Sequence, residues 1–113
     1  MSNSPTIDVG FTHRFEKDVR RLAKRYQKIR LDIKFLIQQL EAGELPGDQI
    51  PNLEQTVFKV RVKNSNIKKG KSAGYRVIYY LKTDTQIVLI TLYSKSDRSD
   101  MNVTEIREIL NTV

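Results

Sequence analysis

The spacing of apolar residues changes once along this chain, and that change limits the possible folds more than any other feature. Phe15, Val19, Leu22, Tyr26, Ile29, Ile33, Leu36, Ile37 and Leu40 recur every three or four residues. That is the spacing of a helix with one buried face. From Phe58 onward, apolar residues either alternate with polar ones or run together, as they do in β-strands. A single helix from Arg14 to Glu41 would be about twice the usual length. The expectation is a helical hairpin broken around Arg25–Arg30, with Gly43 as its C-cap. Ahead of it, "TIDVGF" (residues 6–11) alternates well enough for a short strand.

Residues 41–56 hold two of the three prolines and two of the five glycines and read as an ordered loop. In "VFKVRVK" that follows, Phe58, Val60 and Val62 face one way while Lys59, Arg61 and Lys63 face the other. "NSNIKKGKSAG" is a long polar turn, "YRVIYYLK" a second strand, "TD" a turn, and "QIVLITLY" a strand apolar enough to be covered on both faces. "NVTEIREIL" closes the chain as a short helix with an apolar stripe of Val103, Ile106 and Leu110. Asn102 and Glu105 are spaced as a capping box at its start. Three consecutive strands joined by turns form an antiparallel meander, with the helical hairpin on one face. The fold class is α+β, with one domain over residues 1–113.

Charge is distributed unevenly. The net charge is +7, yet residues 59–82 carry eight Lys/Arg and no acid, whereas residues 83–113 carry three Lys/Arg against five acids. Residues 13–35 carry nine against three. Clustered cations of this kind suit a polyanionic partner, RNA above all, and interleaved Tyr75, Tyr79, Tyr80 and Tyr93 suit base stacking, although Tyr79 and Tyr80 are better read as core, since at least one of them must point inward. With Lys59, Arg61 and Lys63 on one strand face, Arg76 on the next strand joins the patch, and Lys68, Lys69 and Lys71 lie at its edge.

Composition also excludes several chemistries. There is no cysteine for a disulfide, a thiolate metal site or a nucleophile. A single histidine, His13, rules out a two-histidine ribonuclease by count, and it lies far in sequence from the patch. "GKS" at residues 70–72 lacks the upstream glycine of a phosphate-binding loop. No metal or cofactor is expected. No signal-like N-terminus or membrane-length apolar run is seen, so the cytoplasm is the expected location. What remains is metal-free RNA cleavage, in which the 2′-hydroxyl is the nucleophile and the protein positions phosphate, offsets charge and moves protons. Crowding by like charges lowers a lysine's pKa, which makes Lys59 a candidate base; an arginine is not one.

The segments "FKVRV", "KGKSAGYRVIYYL" and "ITLYSKSDRSDMNVTEIREIL" resemble the RelE/ParE toxin superfamily, and within it the HigB-like RelE branch. The similarity runs from the first strand to the last helix and is strongest over residues 58–110. The resemblance implies a small α+β toxin of a type II toxin–antitoxin pair that cuts mRNA on the ribosome and is neutralised by a cognate antitoxin. It places active-site cations at Lys59, Arg61, Arg76 and Lys95; Tyr93 is a further catalytic candidate by its nearness and not by the family pattern. Lys63, Lys68, Lys69, Lys71 and Arg98 are RNA-binding candidates. Two positions depart from the pattern: Ser96 stands where many relatives have arginine, and Met101 and Asn102 stand where they have tyrosine. Tyr93 and Arg98 are the nearby substitutes. Two other readings are a ParE-like inhibitor of DNA gyrase and an RNA- or ribosome-binding module without catalysis. The basic face of the helical hairpin (Lys17, Arg20, Arg21, Lys24, Arg25) fits either ribosomal RNA or an acidic antitoxin segment.

Overall fold

The computed structural model describes residues 6–68, 70 and 73–113. Its elements run β1 (Asp8–Phe11), α1 (His13–Ala23), α2 (Ile29–Glu41), β2 (Asp48–Gln49), β3 (Val57–Val62), β4 (Tyr75–Thr83), β5 (Gln86–Ser94) and α3 (Val103–Leu110). The five strands form one sheet in the order β1-β5-β4-β3-β2. The β3–β4–β5 meander is antiparallel as expected. Two features were not legible: β1 joins β5 in parallel, and the two-residue β2 adds an edge beside β3.

The hairpin breaks between Ala23 and Ile29, overlapping the predicted region and starting slightly before it. Thr12 caps α1 by accepting from the Phe15 N–H, and Gly43 follows the end of α2 at φ 92°, a left-handed conformation that glycine adopts without a Cβ penalty. Phe15, Leu22, Ile29, Ile33, Leu36 and Leu40 pack on one sheet face against Val60, Val62, Tyr75, Val77, Tyr79, Leu89 and Leu92. Each such fully buried aliphatic side chain is worth about 1.5–3 kcal/mol. On the opposite face, Met101 and α3 residues Ile106, Ile109 and Leu110 cover Val57, Ile78, Ile90 and Tyr93. That helix covers only part of its face.

The capping box forms by half. Asn102 accepts from the Glu105 N–H at 2.9 Å, but the Glu105 carboxylate turns to Arg98 and Arg14 instead of back to the cap. Two helix carboxylates are buried for a reason that periodicity cannot show. Asp32 accepts from the Ser65 N–H at 2.9 Å and from its hydroxyl, tying α2 to the loop after β3. Asp18 accepts from the Thr91 hydroxyl at 2.6 Å and the Leu92 N–H at 3.3 Å, with Arg21 at 3.6 Å, tying α1 to β5. Removing a charged acceptor leaves buried donors unpaired. Asp18→Ala should therefore lower unfolding stability by about 2–4 kcal/mol, read as a fall in the urea midpoint at unchanged m-value.

Candidate active site

Strand pairing assembles the site. Arg61 stands opposite Arg76, and Arg76 opposite Tyr93, so a single row crosses β3, β4 and β5. Lys59, two residues before Arg61, lies on the same face because side chains repeat every second residue. The same alternation sends Val60, Val62, Tyr75 and Val77 under the helical hairpin. Lys59, Arg61, Arg76 and Tyr93 line an open cavity of about 600 Å³.

Two walls close it. On one side run Pro46, Gly47 and Asp48, leading into β2, with Asp48 paired opposite Lys59. Gly47 is at φ 96°, and a Cβ there would overlap the Lys59 carbonyl, so only glycine lets this wall lie so close. The Tyr79 hydroxyl donates to the Pro46 carbonyl at 2.5 Å and holds the wall from beneath. The loop after β5 forms the other side, through Lys95, Ser99 and Asp100.

The structure answers the charge imbalance in the sequence. No acid lies within the basic hairpin, but Asp100 arrives from the other wall. Its Oδ1 accepts from Lys59 Nζ at 2.9 Å, from the Met101 N–H at 2.9 Å and from the Tyr93 hydroxyl at 3.3 Å. The Lys59 hydrogen bond, then the Met101 N–H, hold the Asp100 carboxyl below its usual range. The Lys59 and Asp100 side chains are 38% and 63% exposed, which makes this a surface pair worth about 0–1 kcal/mol and open to displacement by a stronger anion. It also sets a carboxylate beside Lys59, where the sequence showed only neighbouring cations. Burial, then Asp100, pushes the Tyr93 hydroxyl up to about 12. At neutral pH it is a proton donor and not a base. Arg76 is buried; burial and neighbouring Arg61 lower its pKa, yet a guanidinium stays charged.

The remaining sequence candidates fall elsewhere. Lys63 lines a separate groove with Asp32 and Phe35, and Lys68 is exposed on the β3–β4 loop. Lys69 and Lys71 lie outside the described residues. Arg98 sits over the Tyr93 ring at 5.5 Å and donates to Glu105 at 2.8 Å, so it braces the cavity from behind instead of lining it. The stacking role fails for Tyr75, which is fully buried on the hairpin side; Tyr79 is buried there too, as the core reading expected, and Tyr80 is partly buried on the opposite face. Of the four tyrosines, Tyr93 alone lines the cavity. Ser96, at the departing position, bonds to Ser94 at 2.8 Å and faces the Tyr26 hydroxyl at 3.4 Å, while Met101 is core. Within the hairpin's basic face, Arg25 is engaged with Asp97 at 2.8 Å. Asp100 was missed because it lies 41 residues from Lys59 and nothing local marks it.

Comparison with known proteins bears on this geometry. The model of the RelE toxin of the RelE/RelB toxin–antitoxin system matches residues 15–112. The chain belongs to the RelE toxin family. A solved structure of the E. coli toxin RelE, an arginine-to-alanine double mutant in the free state, matches with a TM-score of 0.58 at 16% identity. The match covers 96% of this chain and 98% of that one. No curated protein sequence matches. This RelE-family chain is thus a toxin-type member with an α+β fold, and no helix among the described residues is long and apolar enough to cross a membrane.

In this RelE-family chain, α3 is fastened by carboxylates. Arg98, and secondarily Arg14, hold Glu105 below its usual range, as Lys59 does Asp100. A depressed folded value gives stability that is complete above the ordinary carboxylate range and lost as pH falls through the folded value. The denaturation midpoint should therefore fall as pH drops below the ordinary glutamate value of 4.5, and Glu105→Gln should flatten that acid limb while lowering the neutral-pH plateau.

Proposed function

We propose that the protein is a metal-independent endoribonuclease that cuts mRNA on the ribosome and so stops translation, and that a cognate antitoxin silences it by covering the cationic cavity. The observation that carries this reading is the convergence of Lys59, Arg61 and Arg76 with Tyr93 in one cavity, with Lys95 at its rim. Arginine pairs hold phosphate bidentately, and preorganised donors offset the charge that grows on phosphorus as the 2′-oxygen attacks. Attack breaks the bond from phosphorus to the 5′-oxygen, giving a 2′,3′-cyclic phosphate and a 5′-hydroxyl end. The nucleophile belongs to the RNA, so the protein's share is positioning, charge and proton movement. Among the described residues no three His, Cys, Asp or Glu side chains gather as a metal ligand set. Lys63, Lys68 and the basic face of α1 serve general attraction to RNA, each phosphate contact adding salt dependence and no chemistry. Cytoplasmic location follows from a ribosomal target.

In a translation extract, wild-type protein should cleave message within reading frames, with chelator present, and stop synthesis. Lys59→Ala and Arg76→Ala should each reduce cleavage by about 10²-fold or more, with circular dichroism unchanged. Intact message beside folded wild-type protein would rule out the nuclease reading. DNA breakage in its place would point to gyrase poisoning.

A further inference from the structure

The nuclease reading leaves one task unassigned: which group takes the proton from the 2′-hydroxyl. The cavity narrows the choice. Its arginines stay protonated. Tyr93 keeps its proton, and Lys59 Nζ already donates to the Asp100 carboxylate. His13 belongs to a different cavity, beside Arg14, Lys17 and Arg21. Two acids remain, Asp48 and Asp100. Asp48 stands on the two-residue edge strand. Asp100 is held in place at one oxygen by Lys59 Nζ, the Tyr93 hydroxyl and the Met101 N–H, with Oδ2 outside those bonds.

The geometry points to Asp100 as a catalytic residue, the proton acceptor for the 2′-hydroxyl of an RNA whose phosphate lies against Arg61 and Arg76. This assignment rests on the nuclease reading. The 2′-hydroxyl proton passes to Asp100 Oδ2 as the oxygen–phosphorus bond forms. The bond to the 5′-oxygen breaks, that oxygen takes a proton from water, and Asp100 returns its proton to the resulting hydroxide. One proton has then moved from the 2′- to the 5′-oxygen. Lys59 has two roles, orienting the base and donating to the phosphate. The Asp100 carboxyl, held below its usual range by Lys59 and the Met101 N–H, is ionised at neutral pH, and it is its placement in the cavity that makes it an acceptor.

Asp100→Asn separates this role from a structural one. Asparagine keeps Oδ1 for all three donors but has no basic oxygen. Its single-turnover cleavage of ribosome-bound message should fall by about 10²-fold or more. Its ribosome affinity should match wild type, and its thermal midpoint should fall by no more than the small contribution of an exposed ion pair. Asp100→Ala should regain cleavage on addition of formate, which keeps the question answerable if the asparagine variant misfolds. Asp84→Asn, on the distant β4–β5 turn, is the control. Wild-type cleavage by Asp100→Asn, faster cleavage with tighter binding (a carboxylate acting only as a plug), or no formate response would overturn the assignment while leaving the nuclease reading intact. No cleavage by wild type would overturn both.

Discussion

Burial beneath the helical hairpin dictates where every cation of β3 and β4 must go. Val60, Val62, Tyr75, Val77 and Tyr79 occupy the covered face, each apolar side chain contributing about 1.5–3 kcal/mol. Repulsion between two like charges in water is about 1 kcal/mol at 4 Å. Burial wins by a wide margin, so Lys59, Arg61 and Arg76 are forced together on the opposite face. A slip of one residue in the β3–β4 pairing would exchange the two faces. Register and function are therefore set by the same interaction.

The cavity also depends on the loop that follows β5. That loop is tied down at several points: Asp97 to Arg25 in the turn between α1 and α2, Ser96 facing Tyr26, and Arg98 to Glu105 of α3, which also binds Arg14 of α1. Asn102 then starts α3. Lys95 and Asp100 thus occupy positions set by helices lying on both sides of the sheet. Individually these exposed ion pairs are weak, but together they restrict one short segment, and a restricted segment is what a proton acceptor requires.

Most of the fold was legible because long periodic segments report the face they bury. The meander, Gly43 after α2 and Asn102 ahead of α3 rest on local signals, and the hairpin break on the length of the periodic segment, since no Gly or Pro marks it. The parallel docking of β1 on β5 and the two-residue β2 rest on none; both are pairings between distant segments. The site was half legible. Alternation sufficed to place Lys59, Arg61 and Arg76 on one face and to send Tyr79 into the core, but Tyr75, a stacking candidate, is core as well, since it shares the parity of Val77.

Residue order alone determined which side chains could share a face, because a strand's period of two and a helix's of 3.6 are properties of the backbone. It thereby determined that the central hairpin would present a cationic surface. Tertiary structure alone decided that this surface would become a walled cavity, with a glycine-dependent edge at Gly47 and a carboxylate from Asp100 against Lys59. Contacts between residues so far apart in sequence are set by packing of the intervening elements, and no local pattern records them.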